Sequence, residues 1–465
     1  MKVDKLNDKV EIVTRFPPSP TGLLHIGGVR TALFNYLFAK KQGGKIYLRF
    51  EDTDVLRSKM EFEGSITAGL SWLGFVFDNE KPIKQSERIS IYRMYLKKLV
   101  ATGTVYFSKE ESGEGKRDEV IRFRNPNKKI TFHDMIRGDI TFDTTDLGDF
   151  VVAKSLEEPL YHLAVVVDDF EMAVTDIIRG DDHISNTPRQ ILIGEALGFP
   201  TPNYAHIPLI LASDRSKLSK RDGNTSIEMY RDLGYLPEAL INYLALLGWN
   251  PGTEQEIFSM KELIEQFDIS KVQKSGAIFN IEKLKWFNRH YLCELSPEDK
   301  LTKFLGYCKT ISISKSDADV ILSEIQSITG RNNLIELIFD RVSTFGELKD
   351  LFISKEFDYL FNRPIYAKEI LLWKGEGDWS ALQVRLEKLS TIILNISEGT
   401  YDKATIKDAL WPFVLSEGKG ESLWPLRVCL SGKQKSPDPF ILSEVLGKKE
   451  TLARVREAIN LVTVK

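Results

Sequence analysis

The chain of 465 residues is long enough for about three domains and forms more than one hydrophobic core. Its 63 lysine and arginine residues nearly balance its 66 aspartate and glutamate residues, which excludes a histone-like basic protein but not a local basic surface that binds nucleic acid. With 42% hydrophobic and 28% charged residues, the composition is that of a globular protein, neither disordered nor fibrous.

The sequence has no feature of a membrane or secreted protein. It contains no run of about eighteen apolar residues of the kind that spans a bilayer, and its first residues lack the apolar core of a signal peptide. Three scattered cysteines are too few for a disulfide framework or a zinc knuckle, and they fit a reducing compartment. We therefore expect a cytoplasmic protein with no membrane contact.

The first half of the chain has the pattern of an α/β fold. Residues 10–16 and 45–50 have the apolar pattern of strands, and apolar residues between them recur at helical spacing until Gly43 and Gly44 end the helix. A strand, a helix and a strand at this spacing form a right-handed unit of a parallel sheet. Further strands are predicted over 161–167 and 172–178, a helix over 188–197 and another apolar segment over 204–211.

The stretch between these two groups differs in character. Residues 85–159 contain a helical pattern over 91–100, a charged run with glycines (KEESGEGKRDEV) and short strand-like segments. We interpret this stretch as an insertion that splits a nucleotide-binding fold. From about residue 228 onward, helical patterns dominate.

The loop after the first strand is suited to a triphosphate. It reads PPSPTGLLHIGG over 17–28, and it emerges beyond the carboxyl end of a strand, where parallel sheets bind ligands. Gly27 and Gly28 allow a ligand to approach backbone amides at the start of a helix, where the helix dipole favours phosphate. His25 can add a hydrogen-bond donor. Each of these residues alone is more typical of an ordinary turn.

A second loop, KLSKRDG over 217–223, has Lys217 and Lys220 three residues apart, beside a small hydroxyl residue and a glycine. Such a run alone is usually a solvated surface loop, but together with the first loop it favours a polyphosphate site. The HIGG and KLSKR segments resemble the HIGH and KMSKS signatures of class I aminoacyl-tRNA synthetases.

The flanking sequence resembles the bacterial-type glutamyl-tRNA synthetases over nearly the whole chain. In the first half, the similar segments are RFPPSPTGLLHIGGVRTALFNYLFAK from residue 15, RFEDTD from residue 49, YHLAVVVDD from residue 161 and DIIRGDDHISNTPRQ from residue 176. In the second half, they are LWPLRVCLSGKQKSPDPF from residue 423 and the EVLGKKETLARV that follows it.

The resemblance implies an α/β plus all-α fold. A Rossmann-type parallel-sheet catalytic domain takes residues 1–86 and 161–212, and an acceptor-binding insertion over 87–160 separates its two halves. A stem-contact domain with the KLSKR loop follows over 213–296. An all-helical anticodon-binding region is expected over 297–465.

The resemblance also implies a two-step ligase. L-Glutamate and ATP form glutamyl-adenylate and pyrophosphate, and the glutamate is then transferred to the 3′ end of tRNA-Glu. Neither step requires a protein nucleophile, so we expect catalysis to rest on orientation and on cations placed near the phosphates. ATP with Mg²⁺ is the expected cofactor, and a monomer is the expected state because it is usual in the family.

The family match assigns residues to the ATP site. Lys220, assisted by Lys217, and His25 are the expected catalytic residues, since they support the phosphates. Asp182 and His183 are expected near the ribose and adenine, although Asp182 is also suited to capping the helix that follows. The full set matched to ATP is His25, Gly27, Gly28, Asp182, His183, Lys217 and Lys220.

Five further residues match the glutamate site: Arg15, Ser19, Glu51, Tyr161 and Arg179. A side-chain carboxylate calls for a guanidinium group, and we favour Arg15 for this contact, with Arg179 sharing or flanking it. Glu51 is expected to bind the substrate ammonium group.

Three positions depart from the family pattern. Gly28 stands where the signature has its second histidine. Val165 stands where relatives carry an asparagine near the substrate, so one polar contact is expected to be missing. The insertion has no cysteine around residues 106–120, where some relatives carry a zinc knuckle, so we expect no zinc.

Several alternatives stay open at this point. Glutaminyl-tRNA synthetases carry a motif like PPEPNG and end in β-barrels, whereas this chain has PSPTG over 18–22 and a helical tail. A catalytically inactive paralogue that only binds RNA is disfavoured by Arg15, Arg179, Lys217 and Lys220. The sequence does not decide whether tRNA-Gln is also charged, and Arg341 is a candidate for a tRNA contact.

Overall fold

The structure, a computed structural model, describes residues 11–54, 56–110, 119–218, 225–311, 313–328, 331–375 and 378–463. The chain divides into two units, Met1–Tyr291 and Leu292–Lys465. Within the described ranges, none of the helices is both long and apolar enough to cross a membrane.

The first unit is built from alternating strands and helices. In chain order they are β1 (Val13–Phe16), α1 (Ile26–Lys41), β2 (Lys45–Phe50), α2 (Met60–Trp72), β3 (Ile83–Lys84), α3 (Ile89–Ala101), β4 (Val105–Lys109), β5 (Glu119–Phe123), β6 (Lys129–Asp134), β7 (Gly138–Asp143), β8 (Phe150–Ser155), β9 (Glu158–Pro159), α4 (Tyr161–Glu171), β10 (Asp176–Gly180), α5 (Thr187–Leu197), β11 (Asn203–Ile207), β12 (Ile210–Leu211), α6 (Ile227–Asp232), α7 (Pro237–Leu246), α8 (Met260–Gln266) and β13 (Ala277–Ile278). Helix α9 (Ile281–Glu294) contains the boundary between the units.

A parallel sheet forms the centre of the first unit. β1 pairs in parallel with β2, β2 with β3, and β10 with β11. Val13 and Thr175 exchange two hydrogen bonds, of 2.8 and 2.9 Å, which bring β1 beside the start of β10. The carboxyl ends of β1, β2, β10 and β11 therefore meet at one edge of the sheet.

The predicted insertion contributes two strands to this sheet. β6 lies in parallel beside β11, with Asp134 opposite Tyr204, and β7 pairs antiparallel with β6. The other insertion strands form a separate antiparallel sheet in the order β4, β5, β8, β9. Apolar residues of that sheet share one hydrophobic core with α3, α4 and α5, so the insertion packs directly on the elements that carry the site.

One predicted strand is wrong, because residues 161–167 belong to helix α4. The valine run over 165–167 favours a strand, but Leu163, Ala164 and Val167 lie in the core on one side of a helix, and this burial outweighs local β propensity. The strand predicted over 172–178 forms only at its end, as β10, since Ala173 has a φ of 52° that interrupts an extended backbone.

The other predicted elements of the first unit are confirmed. The predicted strand over 45–50 coincides with β2, and the one over 10–16 forms β1, with residue 10 outside the described residues. The predicted helices over 91–100 and 188–197 form α3 and α5.

The described part of the second unit confirms the helical pattern expected there. Its helices are α10 (Pro297–Thr310), α11 (Lys315–Ile328), α12 (Asn332–Phe339), α13 (Phe345–Ile353), α14 (Asp358–Phe361), α15 (Trp379–Asn395), α16 (Lys403–Glu417), α17 (Lys419–Ser431), α18 (Pro439–Leu446) and α19 (Lys448–Thr463). Rings from α10, α12 and α13 pack together around Phe304, whose centroid lies 5.7 Å from that of Phe352.

We expect Gly44→Ala to destabilise the first unit, because a Cβ at this position would overlap the backbone carbonyl of Ile12 just before β1. The free energy of unfolding should fall by about 1–3 kcal/mol, as in other overpacked sites. Gly64→Ala is the control, because Gly64 lies in α2 and a Cβ added there meets no atom within 4 Å. This variant should have a free energy of unfolding that is unchanged or up to about 1 kcal/mol higher. Equal stability of the two variants in urea denaturation would contradict the packing at Gly44.

Candidate active site

A cavity of about 660 Å³ lies at the sheet edge where β1, β2, β10 and β11 end. It brings together the predicted site residues of the first unit that fall within the described ranges, namely Arg15, Ser19, His25, Gly27, Gly28, Glu51, Tyr161, Arg179, Asp182, His183 and Lys217. Lys220 lies outside the described residues, and Arg341 belongs to the second unit. This clustering makes the cavity the candidate active site.

The start of α1 forms one wall of the cavity. His25 is the N-cap of this helix, and the backbone N–H of Gly28 donates to its Nδ1 at 3.2 Å. The neutral ring therefore carries its proton on Nε2, which is a donor. A Cβ at Gly27 would lie 3.0 Å from the ring, so any other residue would require the imidazole to shift by a few tenths of an ångström. A helix N-terminus with this imidazole suits an anionic ligand.

Two cavity residues belong to a buried ion cluster. Arg49 donates to Asp169 at 2.7 Å and to Glu51 at 3.2 Å, and its Nε lies 3.8 Å from Asp168. Arg15 donates through Nε and Nη2 to the two carboxylate oxygens of Asp169, at 3.1 and 3.3 Å. These side chains are at most 8% exposed. Because a buried charge is costly without its partner, the cluster holds Arg15 and Glu51 in fixed positions.

Asp168 connects this cluster to the insertion. Gln85, Arg88 and Tyr92 all donate to its carboxylate, at distances between 2.7 and 2.9 Å. These three residues lie just before α3 and in its first turn, where the predicted insertion begins. The consecutive residues Asp168 and Asp169 on α4 thus bind the insertion and the end of β1 at the same time.

Burial and the arginines have opposite effects on the carboxylates of this cluster. Burial tends to raise the pKa of Asp169, but Arg15 and Arg49 outweigh it and hold that pKa below its usual value. For Glu51, burial prevails over Arg49 and Arg15, and the pKa is raised. A further positive group beside Glu51, such as an ammonium, would stabilise its charged form.

Arg179 differs from Arg15 because its partners are neutral. Its Nε donates to His206 Nε2 at 3.1 Å, its Nη1 to Gln190 Oε1 at 2.7 Å and its Nη2 to Thr187 Oγ1 at 2.8 Å. Burial lowers the pKa of this guanidinium. The three contacts orient the group but do not neutralise it, so Arg179 presents a positive charge to the cavity that it lines.

The segment after β10 contacts Lys217, the first residue of the second predicted nucleotide loop. Lys217 Nζ lies 3.3 Å from Asp182 Oδ2. Asp182 lies inside the 3₁₀ turn Asp181–Asn186, and the N-cap of α5 is Asn186. Asp182 therefore does not cap α5, and its side chain contacts Lys217 instead.

Tyr161 and His183 form a polar pair on the cavity wall. The tyrosine hydroxyl lies 3.1 Å from His183 Nδ1. Burial, followed by repulsion from Arg179, lowers the pKa of His183 to about 4, so its ring is neutral at pH 7. His183 therefore adds no positive charge to this part of the cavity.

Two other positions from the sequence analysis lie elsewhere. Val165 is buried in α4 and is not among the residues that line the cavity. Arg341 lies 3.7 Å from Glu356 and 5.7 Å from the centre of the Phe357 ring. Its contact with tRNA stays a prediction.

The residues that hold the two cavity arginines were not predicted from the sequence. Asp169 holds Arg15 and is itself held by Arg49, and His206 holds Arg179. The available signal was an ionisable residue inside an apolar segment, as in VVVDD, KIYLRF and YAHIPLIL. Such residues are buried only when they are paired, so they mark polar networks.

Comparison with protein families matches the two halves of the chain separately. The model described as "tRNA synthetases class I (E and Q), catalytic domain" matches residues 11–119 and 107–286, and the model of an anticodon-binding domain matches residues 284–459. A glutamate–tRNA ligase of Geobacter sulfurreducens is 38% identical over 480 residues, covering 97% of this chain and 98% of that protein. One from Carboxydothermus hydrogenoformans is 39% identical over 496 residues, covering 96% and 99%.

Solved structures give the same match. One is the crystal structure of a glutamate tRNA ligase from Elizabethkingia meningosepticum in complex with its amino acid. It has a TM-score of 0.79 and 32% sequence identity, and the match covers 98% of this chain and 100% of that chain. The glutamate-tRNA synthetase of Elizabethkingia anophelis has a TM-score of 0.77 and 32% identity, covering 97% and 100%.

We expect Asp169→Asn to lower the free energy of unfolding by about 3–5 kcal/mol at pH 7, because an amide NH₂ would face two buried guanidinium groups. Glu157→Gln is the control, since it removes a half-exposed pair with Arg93 and should cost less than about 1 kcal/mol. Urea denaturation of both variants measures the difference.

The effect of Asp169 should also depend on pH. Its folded-state pKa lies below the unfolded value of about 3.9, so between these values the unfolded state binds more protons. The wild-type advantage over Asp169→Asn is therefore full at neutral pH and declines once the pH falls below about 4. An advantage that grows on acidification would contradict this assignment.

Proposed function

The chain belongs to the glutamate–tRNA ligase family of class I tRNA synthetases, and we propose that it activates L-glutamate with ATP and transfers it to tRNA-Glu. The observation that carries the proposal is the cavity at the sheet edge, where a helix N-terminus with His25, Lys217 and two buried arginines line one space. The first two features suit a triphosphate, and the arginines suit a dicarboxylic amino acid.

ATP is proposed to lie along the start of α1. His25 and the backbone at Gly27 receive the phosphates, and Gly28, whose N–H donates to His25 Nδ1, lets them approach the helix end. Ribose and adenine are proposed to lie near Asp182 and His183. The contact of Lys217 with Asp182 supports this arrangement, because it brings the first residue of the second signature motif beside the segment after β10. Lys220, three residues further on, is proposed to stabilise the negative charge that develops on the α-phosphate.

Mg²⁺ is proposed to accompany ATP. Within the described part of the chain, no group of three or more His, Cys, Asp or Glu side chains is arranged to hold a metal ion. Phosphate oxygens and water are the usual ligands of this hard cation, and it supplies charge neutralisation to the triphosphate. Zinc is not part of the proposal, since the insertion contains no cysteine.

L-Glutamate is proposed to lie between Arg15 and Arg179. Arg15 is favoured for the side-chain carboxylate, and its Nη1 has no hydrogen-bond partner among the described residues. Arg179 shares or flanks that role, since its positive charge meets only neutral partners. Glu51 is proposed to bind the ammonium group, and Ser19 and Tyr161 complete the pocket wall.

The chemistry needs positioning rather than a protein nucleophile. An oxygen of the glutamate α-carboxylate attacks the α-phosphorus of ATP, and the bond to pyrophosphate breaks. A hydroxyl of the terminal adenosine of tRNA then attacks the carbonyl carbon of the adenylate, and AMP leaves. The arginines hold the amino acid, the lysines and His25 hold the phosphates, and no group of the protein becomes covalently modified.

The identity of the tRNA is the finer part of the proposal. The insertion is proposed to bind the acceptor end and the helical second unit the anticodon arm, with Arg341 as a candidate contact. A form that also charges tRNA-Gln is the alternative, whereas the named relatives do not favour glutaminyl-tRNA synthetase. We further propose a monomer that works in the cytoplasm.

Aminoacylation tests the proposal directly. Enzyme dialysed against a zinc chelator and supplied with Mg²⁺, ATP and labelled glutamate should charge purified tRNA-Glu, and tRNA-Gln assayed beside it measures the acceptor range. Lys220→Ala should lower the rate of adenylate formation at least about a hundredfold with a smaller change in the KM for ATP, because its charge acts mainly in the transition state. Lys261→Ala, on an exposed face of α8, is the control. Wild-type enzyme that charges neither tRNA would refute the proposal.

Discrimination against glutamine tests the arginine pair. Glutamine has nearly the same shape as glutamate, so the enzyme must distinguish them by charge. A guanidinium that faces an amide instead of a carboxylate should give the enzyme a preference of about a thousandfold for glutamate over glutamine. Arg15→Ala and Arg179→Ala should each raise the KM for glutamate and narrow the preference for glutamate over glutamine, with little change in the KM for ATP. Arg179→Lys keeps the charge without the two-pronged geometry and should fall between. Wild-type preference in both alanine variants would mean that other residues bind the carboxylate.

A further inference from the structure

We propose that His206 and Asp134 are positioning residues for the glutamate site, and that through them the β6–β7 hairpin of the insertion sets the orientation of Arg179. The inference rests on the proposed function, because it takes Arg179 as a residue that binds glutamate. Neither His206 nor Asp134 lines the cavity. They act on the substrate only through Arg179.

The three side chains form a continuous buried chain of hydrogen bonds. Arg179 Nε donates to His206 Nε2 at 3.1 Å, and His206 Nδ1 lies 2.7 Å from Asp134 Oδ2. Asp134 and His206 are both 0% exposed, and Arg179 is 5% exposed. Because Asp134 and His206 are fully buried, the loss of a partner in this chain is costly, so each bond constrains the next.

The donors and acceptors of this chain fix one tautomer of His206. Because the guanidinium can only donate, His206 Nε2 must carry a lone pair. Its proton therefore lies on Nδ1 and is donated to Asp134. Burial lowers the pKa of His206 and thereby favours the neutral ring that this pattern requires. Asp134 thus selects the form of His206 that accepts from Arg179.

Asp134 also fixes the hairpin turn that carries it. Its Oδ2 accepts the backbone N–H of His206 at 3.0 Å, and its Oδ1 accepts those of Ile136 and Arg137 at 3.0 and 2.9 Å. Arg137 in turn donates to Asp181 at 2.7 Å, just after β10. The turn of one hairpin is therefore bonded both to His206 on β11, which lies opposite Arg179, and to Asp181, which directly follows β10.

The remaining donors of Arg179 explain why its orientation matters. A guanidinium has five N–H groups, and contacts with His206, Gln190 and Thr187 use three of them. One N–H stays on each terminal nitrogen for a ligand in the cavity. Two N–H groups in one plane recognise a carboxylate only if that plane is held, and the Nε bond to His206 is one of the three that hold it.

A purely structural role for His206 is the competing explanation. Its ring is nearly parallel to that of Tyr204, at 6.1 Å, and lies 6.2 Å from that of Phe132. If ring packing alone mattered, His206→Phe would keep the function. If the hydrogen bond to Arg179 matters, the KM for glutamate should depend on whether the new side chain places an acceptor atom where His206 Nε2 lies.

Three variants at this position separate the two roles. His206→Asn can reach Asp134 but not Arg179, His206→Gln places an amide oxygen where Nε2 accepts from Arg179, and His206→Phe keeps only the ring. We expect His206→Asn and His206→Phe to raise the KM for glutamate about tenfold or more, and His206→Gln about threefold, with the KM for ATP within about twofold in each. Thermal unfolding of each variant verifies that it is folded before the kinetics are compared.

The outcomes are distinct. A wild-type KM for glutamate in His206→Phe would overturn the proposal, and so would equal effects of His206→Asn and His206→Gln. Where His206→Phe does not fold, the Asn and Gln pair decides alone, since both are polar. Charging of tRNA-Glu by the wild-type enzyme in the same assay, together with the effect of Arg179→Ala on glutamate, tests the proposed function separately from the positioning role.

Discussion

Arg49 is the residue on which the geometry of the site depends. Its guanidinium is fully buried, and burial disfavours its charge, but Asp169, Glu51 and Asp168 outweigh that effect and raise its pKa. Each of these carboxylates reaches a different part of the molecule. Asp169 holds Arg15 on β1, Glu51 lines the cavity, and Asp168 holds the residues that lead into α3. One buried charge therefore links the sheet, the pocket and the insertion.

The two cavity arginines have different electrostatic states, and this difference bears on selectivity. Arg15 is paired with Asp169, so its charge is balanced before any ligand arrives. Arg179 is oriented by neutral groups and stays unbalanced. In the proposed arrangement the side-chain carboxylate contacts Arg15 and is shared with or flanked by Arg179, so an anionic side chain would complete the charge balance at Arg179, whereas a neutral isostere would not. Preference for a carboxylate would then come from a counter-charge that the protein itself does not provide.

The sequence predicted the site loops better than the contacts that orient them. PPSPTGLLHIGG is a contiguous segment, and parallel strands bring their carboxyl ends to one edge, so clustering of Arg15, Glu51 and Arg179 followed from topology. The partners were not predictable in this way. Arg15 and Asp169 are 154 positions apart, and their pairing depends on α4, whose valines favoured a strand. Local propensity carries no information on which distant carboxylate meets a buried arginine.

The parallel pairing of β6 with β11 limits how this enzyme can be recombined with its relatives. The ends of the insertion suggest a cassette that could be exchanged between paralogues at two joints. An insertion taken from a relative would also have to supply a strand that pairs with β11 and a carboxylate at position 134. Without the strand, an edge of the sheet would be exposed, and without the carboxylate, His206 Nδ1 would lose its acceptor. Exchange that leaves these contacts intact is therefore confined to the sheet formed by β4, β5, β8 and β9, and the β6–β7 hairpin has to stay with the catalytic half.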